Sequence, residues 1–347
     1  MSDITIATVP CPPLPSARSL FPLRIVIPGG EGHLGRLLTR RFSAAGHTVT
    51  TLSRQPQPSP GDKTPWTKIP WDGRELGAWV AALENADVVV NLSGRSVDCR
   101  YHAKNREEIL QSRVASTAIL AKAIQSLGCP PRLWLNASTA TIYRHAYDRD
   151  MDEHSGELGG GEPDAPSAWR FSIDVARQWE DTFFASEAPS TRKVAMRAAM
   201  VMSAEPGGVF PVVSRLVRLG LGGAWGDGRQ YMSWIHELDF CRAVEFLIEH
   251  DEISGAANLA APHPLPNREF MAELREAWGI PVGLPATAWM LSVGAFLMRT
   301  ETELLLKSRR VVPAVLCEHG FKFCFPQWAE AARDLVERRK EASAAVT

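Results

Sequence analysis

The sequence predicts an α/β protein built on a doubly wound parallel sheet. Three observations predict it. Residues 24–35, Arg-Ile-Val-Ile-Pro-Gly-Gly-Glu-Gly-His-Leu-Gly, run an apolar strand into a turn with Gly29, Gly32 and Gly35 spaced three apart. Strand and helix patterns then alternate five times as far as Thr139. The run Val88-Val-Val90 is apolar at consecutive positions, the pattern of a parallel strand covered on both faces.

Taken in order, the first element is the strand ending at Pro28. Its glycine turn feeds an amphipathic helix over 36–45 (Leu37, Leu38, Arg41, Phe42) that stops at Gly46. Glycines at this spacing let the backbone turn sharply and approach a pyrophosphate, with helix-start N–H groups facing the anion. Thr48-Val-Thr-Thr-Leu52 is a second strand, ending at Ser53-Arg54. Arg54 stands 19 residues after Gly35, about where an NAD-selective protein places an acid on the ribose 2′-hydroxyl. A guanidinium there suits a 2′-phosphate instead, because its planar fork pairs with phosphate oxygens. The expected cofactor is therefore NADP(H).

A proline-rich connection over 55–70 reaches a short third strand before Trp71-Asp72-Gly73. A helix is expected over 76–83, then the buried strand closing on Asn91-Leu-Ser-Gly94, a long helix over 105–127 and the strand Leu133-Trp-Leu-Asn-Ala-Ser-Thr139. The later half reads as helix 169–185, strand 194–201, helix 210–219, a glycine-rich loop over 220–228, short strand 231–235, helix 238–250, a closing strand 256–260 and helix 267–278. Three units follow: a flexible Pro-rich tail over 1–22, a dinucleotide-binding domain over 23–265 with substrate-side segments at about 203–236, and a C-terminal helical appendage over 281–335.

Composition excludes several classes. Over 347 residues the net charge is −1, which argues against a nucleic-acid surface. No apolar run reaches the roughly 20 residues that span a bilayer, and the 286–298 stretch, interrupted by Ser292 and Gly294, reads as a buried helix. The first 22 residues lack a signal-peptide pattern. The six cysteines show no C-x-x-C pair and no histidines stand at metal spacing, so reduced thiols, no metal and a cytoplasmic location are expected. Oligomeric state is not legible.

The chain resembles the extended, atypical short-chain dehydrogenases/reductases, specifically the epimerase-like subfamily with a C-terminal domain of unknown function, DUF1731. The resemblance is carried by Pro28 to Gly35, Ser53-Arg54, Trp71-Asp72, Asn91 to Gly94 and Gln111-Ser-Arg113. It continues through Gly226 to His236 with Asp239, Asn258 to Pro262, Leu304 to Pro313 and Gly320 to Phe325. It implies the NAD(P)-binding Rossmann fold and NADP(H). It places cofactor contacts at Gly29, Gly32, His33, Leu34, Gly35, Ser53, Arg54, Leu92, Ser93, Gly94, Glu108 and Arg113, with Met200 beside the nicotinamide. Pro28 and His33 depart from the usual Thr and Phe; Pro28 removes a backbone donor, and His33 sets a titratable ring near the pyrophosphate.

Members of the superfamily use a Tyr-x-x-x-Lys pair, in which the lysine lowers the phenol pKa so that tyrosinate moves a proton. Here that position reads Ser172-Ile-Asp-Val-Ala176, counting back from Glu180. The remaining candidates are Thr139, to orient a substrate oxygen, and Tyr143 or Asp174 as substitute acid–base groups, with packing at the strand-to-loop bend the other reading of Tyr143 and a solvated helix position that of Asp174. Arg229, Gln230, Trp234 and His236 are expected to line a substrate pocket, with His236 also fit to bond a helix start near Asp239. Two functions follow: an NADP(H)-dependent oxidoreductase or epimerase acting on an unidentified small molecule, or a non-catalytic NADP(H)-binding sensor.

Overall fold

The computed structural model describes residues 22–54, 64–162, 166–286 and 307–344. The tail expected over 1–22 lies, Pro22 apart, outside them, as do 287–298 of the expected buried helix and the first three residues of the Leu304–Pro313 motif.

Seven parallel strands form the central sheet. They are β1 (Arg24–Pro28), β2 (Thr48–Ser53), β3 (Thr67–Pro70), β4 (Val88–Asn91), β5 (Leu133–Thr139), β6 (Arg192–Ala198) and β10 (Gly255–Leu259), in the order β10-β6-β5-β4-β1-β2-β3. Alternation along β1 explains how both faces are buried. Ile25 and Ile27 pack on one side with Val88, Val90, Leu133 and Leu135, beneath α1 (His33–Ala44) and α5 (Glu237–Glu249). Val26 points to the other side with Val89 and Trp134, beneath α2 (Ala103–Gln125) and α3 (Ser167–Phe184). A strand apolar at every position needs this two-sided cover.

Beyond the sheet, α4 (Val209–Arg218), α6 (Asn267–Trp278) and α8 (Trp328–Ala344) enclose a second core. There Trp328 stacks on Phe270 at 4.0 Å and meets Trp234 edge-on at 5.0 Å. A short helix, α7 (Ala314–Glu318), packs against β10.

Four expectations need correction. The helix over 76–83 is a 3-10 turn, Ala78–Ala82. Asp72 accepts the Arg74 and Glu75 amides, and such local bonds compete with helix. The strand over 194–201 breaks at Ala199, whose amide bonds Leu259; β7 (Met200–Met202) then pairs with β9 (Trp234–His236) in a separate sheet. The strand over 231–235 likewise divides, with β8 (Tyr231–Met232) pairing antiparallel to β11 (Leu265–Pro266). Among the described cysteines, Cys99, Cys129, Cys241 and Cys317 are free thiols, whereas Cys324 is disulfide-bonded, against the expectation of reduced thiols throughout. No described helix is long and apolar enough to cross a membrane.

Candidate functional site

The strand order reverses between β1 and β4, and a crevice opens at such a switch point beyond the carboxyl ends of the strands. The glycine turn leaves β1 on one side of it; Asn91 to Gly94 leaves β4 on the other. They touch. Gly29 adopts φ +80°, and a Cβ there would lie 2.8 Å from the Leu92 carbonyl. A Cβ on Gly35 would come within 2.5 Å of the Gly29 carbonyl oxygen, so α1 meets the turn at glycine distance. Gly32 caps α1 without any side-chain bond, leaving the helix start to its backbone N–H groups. Pro28 costs the turn little, since its carbonyl still accepts from the Leu92 amide at 2.8 Å.

Around this turn stand the other expected cofactor residues. The Ser53 and Ser93 hydroxyls are buried with no hydrogen-bond partner among the described residues, at the ends of β2 and β4. Asn91 accepts the Ser93 amide and donates to Asn136, which fixes the second loop. Leu34 and Leu92 are half-buried against the first core, and Arg54 is exposed. Arg113 lies against Gly94 and donates to the Arg95 and Ile109 carbonyls; burial pushes its guanidinium down to about 10. Glu108 pairs with the Arg95 side chain. Glu108 and Arg113 thus hold the Gly94–Arg95 loop between them. The His33 ring lies against Gly207 and Gly208, beside the Pro206 backbone. Burial lowers its pKa ahead of the opposing pull of Glu205, so at neutral pH it is an uncharged ring. Met200 opens β7, its amide bonded to the Ser233 carbonyl.

The chemistry-bearing side chains divide. Thr139 ends β5, half-buried, and its Oγ1 accepts the Thr141 amide at 3.2 Å, leaving the hydroxyl proton to donate. Tyr143 is buried in an apolar cluster, in keeping with its packing reading. Its hydroxyl donates to Asn258 at 3.0 Å and accepts from Arg197 at 2.9 Å, and burial raises its pKa, the opposite of what a tyrosinate base needs. Arg197 pairs in turn with Glu180 through two bonds, and Glu180 accepts from Ser138. Asp174 is exposed on α3. Ala176, where the lysine would stand, is fully buried in an apolar cluster with Tyr143, Met151 and Val311.

Gln230 and Trp234 are core residues rather than pocket lining. Gln230 donates to the Trp225 carbonyl, and Trp234 packs on Trp328. His236 caps α5 through the Leu238 amide, as its second reading expected, and its other nitrogen bonds Asp334 of α8. Arg229 is exposed, over Tyr147.

Sequence reasoning missed Lys307 and Arg309. Both are buried, and they donate to the Thr141 carbonyl and hydroxyl respectively, two residues past Thr139. They stand in the Leu304–Pro313 motif, the one available signal. No group of three or more described His, Cys, Asp or Glu residues is placed to hold a metal.

With this geometry, comparison with known proteins is decisive. Residues 25–260 match the model of the NAD dependent epimerase/dehydratase family. The chain belongs to that family. Residues 286–335 match DUF1731, a domain of unknown function. Among its relatives, the human epimerase family protein SDR39U1 is 31% identical over 319 residues, covering 90% of this chain and all of that protein. The Bacillus subtilis epimerase family protein YfhF is 29% identical over 318 residues, covering 92% and 99%. The crystal structure of human SDR39U1 (isoform 2) with NADPH superposes with a TM-score of 0.77 at 29% identity, covering 91% of this chain and 99% of that one. A nucleoside-diphosphate sugar epimerase from Corynebacterium glutamicum gives 0.70 at 27% identity, covering 93% and 62%.

Proposed function

We propose that this epimerase-family chain is an NADP(H)-dependent oxidoreductase or epimerase acting on a small molecule in the cytoplasm. The observation that carries this reading is the glycine turn, packed against Leu92 at the switch point and flanked by the unpartnered Ser53 and Ser93 hydroxyls. Those hydroxyls are buried donors that a bound ligand satisfies, and leaving them unmet costs about 1–3 kcal/mol each. The human relative solved with NADPH supports the same cofactor, and Arg54 in place of an acid supports the phosphorylated form.

In this reading the turn and the start of α1 bind the pyrophosphate, Ser53 and Arg54 the adenosine ribose phosphate, and Ser93 and Gly94 the opposite wall. Glu108 and Arg113 act through the Gly94–Arg95 loop they hold. When bound, the nicotinamide supplies or accepts a hydride. Thr139 donates a hydrogen bond that orients a substrate oxygen, while Lys307 and Arg309 hold the turn that follows it.

The test is thermal stabilisation of the purified chain by NADPH and NADH at equal concentration, since a ligand of the native state adds RT ln(1 + [L]/Kd). A larger shift with NADPH is expected; equal or reversed shifts refute the assignment. A second reading, a non-catalytic NADP(H) sensor, rests on the apolar burial of Ala176 where a catalytic lysine would stand. A screen of small molecules, nucleoside-diphosphate sugars included, followed by NADPH absorbance with wild type and Thr139→Ala separates the two. Turnover that Thr139→Ala abolishes supports the enzyme.

A further inference from the structure

The glycine turn carries an acid at its apex, Glu31, and an anionic cofactor must pass beside it. The Glu31 carboxylate accepts from the Thr51 hydroxyl at 3.0 Å and lies 3.6 Å from the Lys68 ammonium. Thr51 and Lys68 are register partners on the adjacent strands β2 and β3. Side chains two apart on a strand share a face, so Ser53 stands on the Thr51 side, one step nearer the strand end. Lys68 keeps its side chain half-buried, with its ammonium 5.9 Å from the centre of the Trp66 ring. A cation thus stands on the strand beside β2, two positions short of the Ser53 end near which the adenosine ribose of a dinucleotide lies.

We infer that Lys68 is a specificity residue of this site, reading the 2′-phosphate of the cofactor together with Ser53 and Arg54, and that Glu31 holds it in place until the phosphate arrives. This rests on the NADP(H) reading above and deepens it. Glu31 alone would repel a 2′-phosphate; beside Lys68 it is a carboxylate already matched by a cation. On binding, the ammonium exchanges part of its attraction to Glu31 for the phosphate, a dianion and the stronger partner. Arg36, which donates to the Glu31 carbonyl at 2.7 Å, fixes the backbone at this point so that the exchange is made by side chains.

The experiment is calorimetric titration of the full chain with two fragments, 2′,5′-ADP and 5′-AMP, which differ in that phosphate alone. Lys68→Met is expected to weaken 2′,5′-ADP about tenfold or more, the worth of a hydrogen bond to a charged group, while 5′-AMP changes less than about twofold. Lys68→Arg is expected to retain the preference. The double variant Glu31→Gln/Lys68→Met separates two roles for the lysine. If Lys68 touches the phosphate, the double variant still binds 2′,5′-ADP about tenfold more weakly than Glu31→Gln alone. If the double variant matches Glu31→Gln, Lys68 does no more than neutralise the acid and the inference is overturned. Equal weakening of both fragments by Lys68→Met overturns it as well, leaving the cofactor reading intact. A wild-type chain that binds neither fragment overturns the cofactor reading and this inference with it.

Discussion

Restoring the missing lysine is the sharpest test of how this site is built. Ala176→Lys places an ammonium at a fully buried position walled by Tyr143, Met151 and Val311. The effective penalty for taking such an ion out of water is several kcal/mol, and the added methylenes overpack a filled site at about 1–3 kcal/mol more. The sum, about 4–7 kcal/mol, approaches the whole stability of an ordinary domain, about 5–15 kcal/mol. Ala176→Met supplies the volume without the charge. Urea denaturation of the two variants therefore isolates the electrostatic part, expected to be the larger. The sign with pH follows from linkage. Burial holds the folded-state lysine pKa below its unfolded value, so the unfolded chain binds more protons and the Ala176→Lys variant gains stability as pH rises towards about 10. If Ala176→Lys matches Ala176→Met at pH 7 and shows no such gain, the cluster is open to water and the account of the absent pair fails.

Three further outcomes are expected. Gly35→Ala forces a Cβ to within 2.5 Å of the Gly29 carbonyl, so the turn must open and the stabilisation by NADPH should vanish; a full NADPH shift in that variant refutes the packing argument. Glu180→Gln leaves the Arg197 guanidinium buried without its counter-charge and should cost about 3–5 kcal/mol in denaturation, with Glu180→Gln/Arg197→Met recovering much of it; a loss below about 1 kcal/mol would place the pair among weak surface bridges. Burial is the largest influence lowering the His33, His47 and His145 pKa values, so stability is complete above their unfolded value near 6.5 and declines as pH falls below it. His33→Leu should reduce that slope between about pH 7 and 5, and an unchanged slope assigns it to the other two.

What was legible in the sequence was whatever rests on neighbours along the chain. The two-sided strands, the glycine turn and the length of α2 are local patterns, and each stands where the periodicity put it. The break at Ala199 was not, because the residue that ends β6 there is Leu259, 60 positions away. The partners of Tyr143 were hidden for the same reason: Arg197 and Asn258 reach its oxygen from β6 and β10, far along the chain. The same reasoning joins two features that the sequence presents as separate departures, the lost lysine and the appended C-terminal domain. Val311 pairs with Met151 and enters the apolar cluster that contains Ala176. Arg309 and Lys307, a few residues earlier in that segment, bond the turn after Thr139. A lysine at 176 would project its charge into the space that Val311 shares. The appended segment therefore packs against Ala176 through Val311 and brings two cations, Lys307 and Arg309, to the turn that follows Thr139.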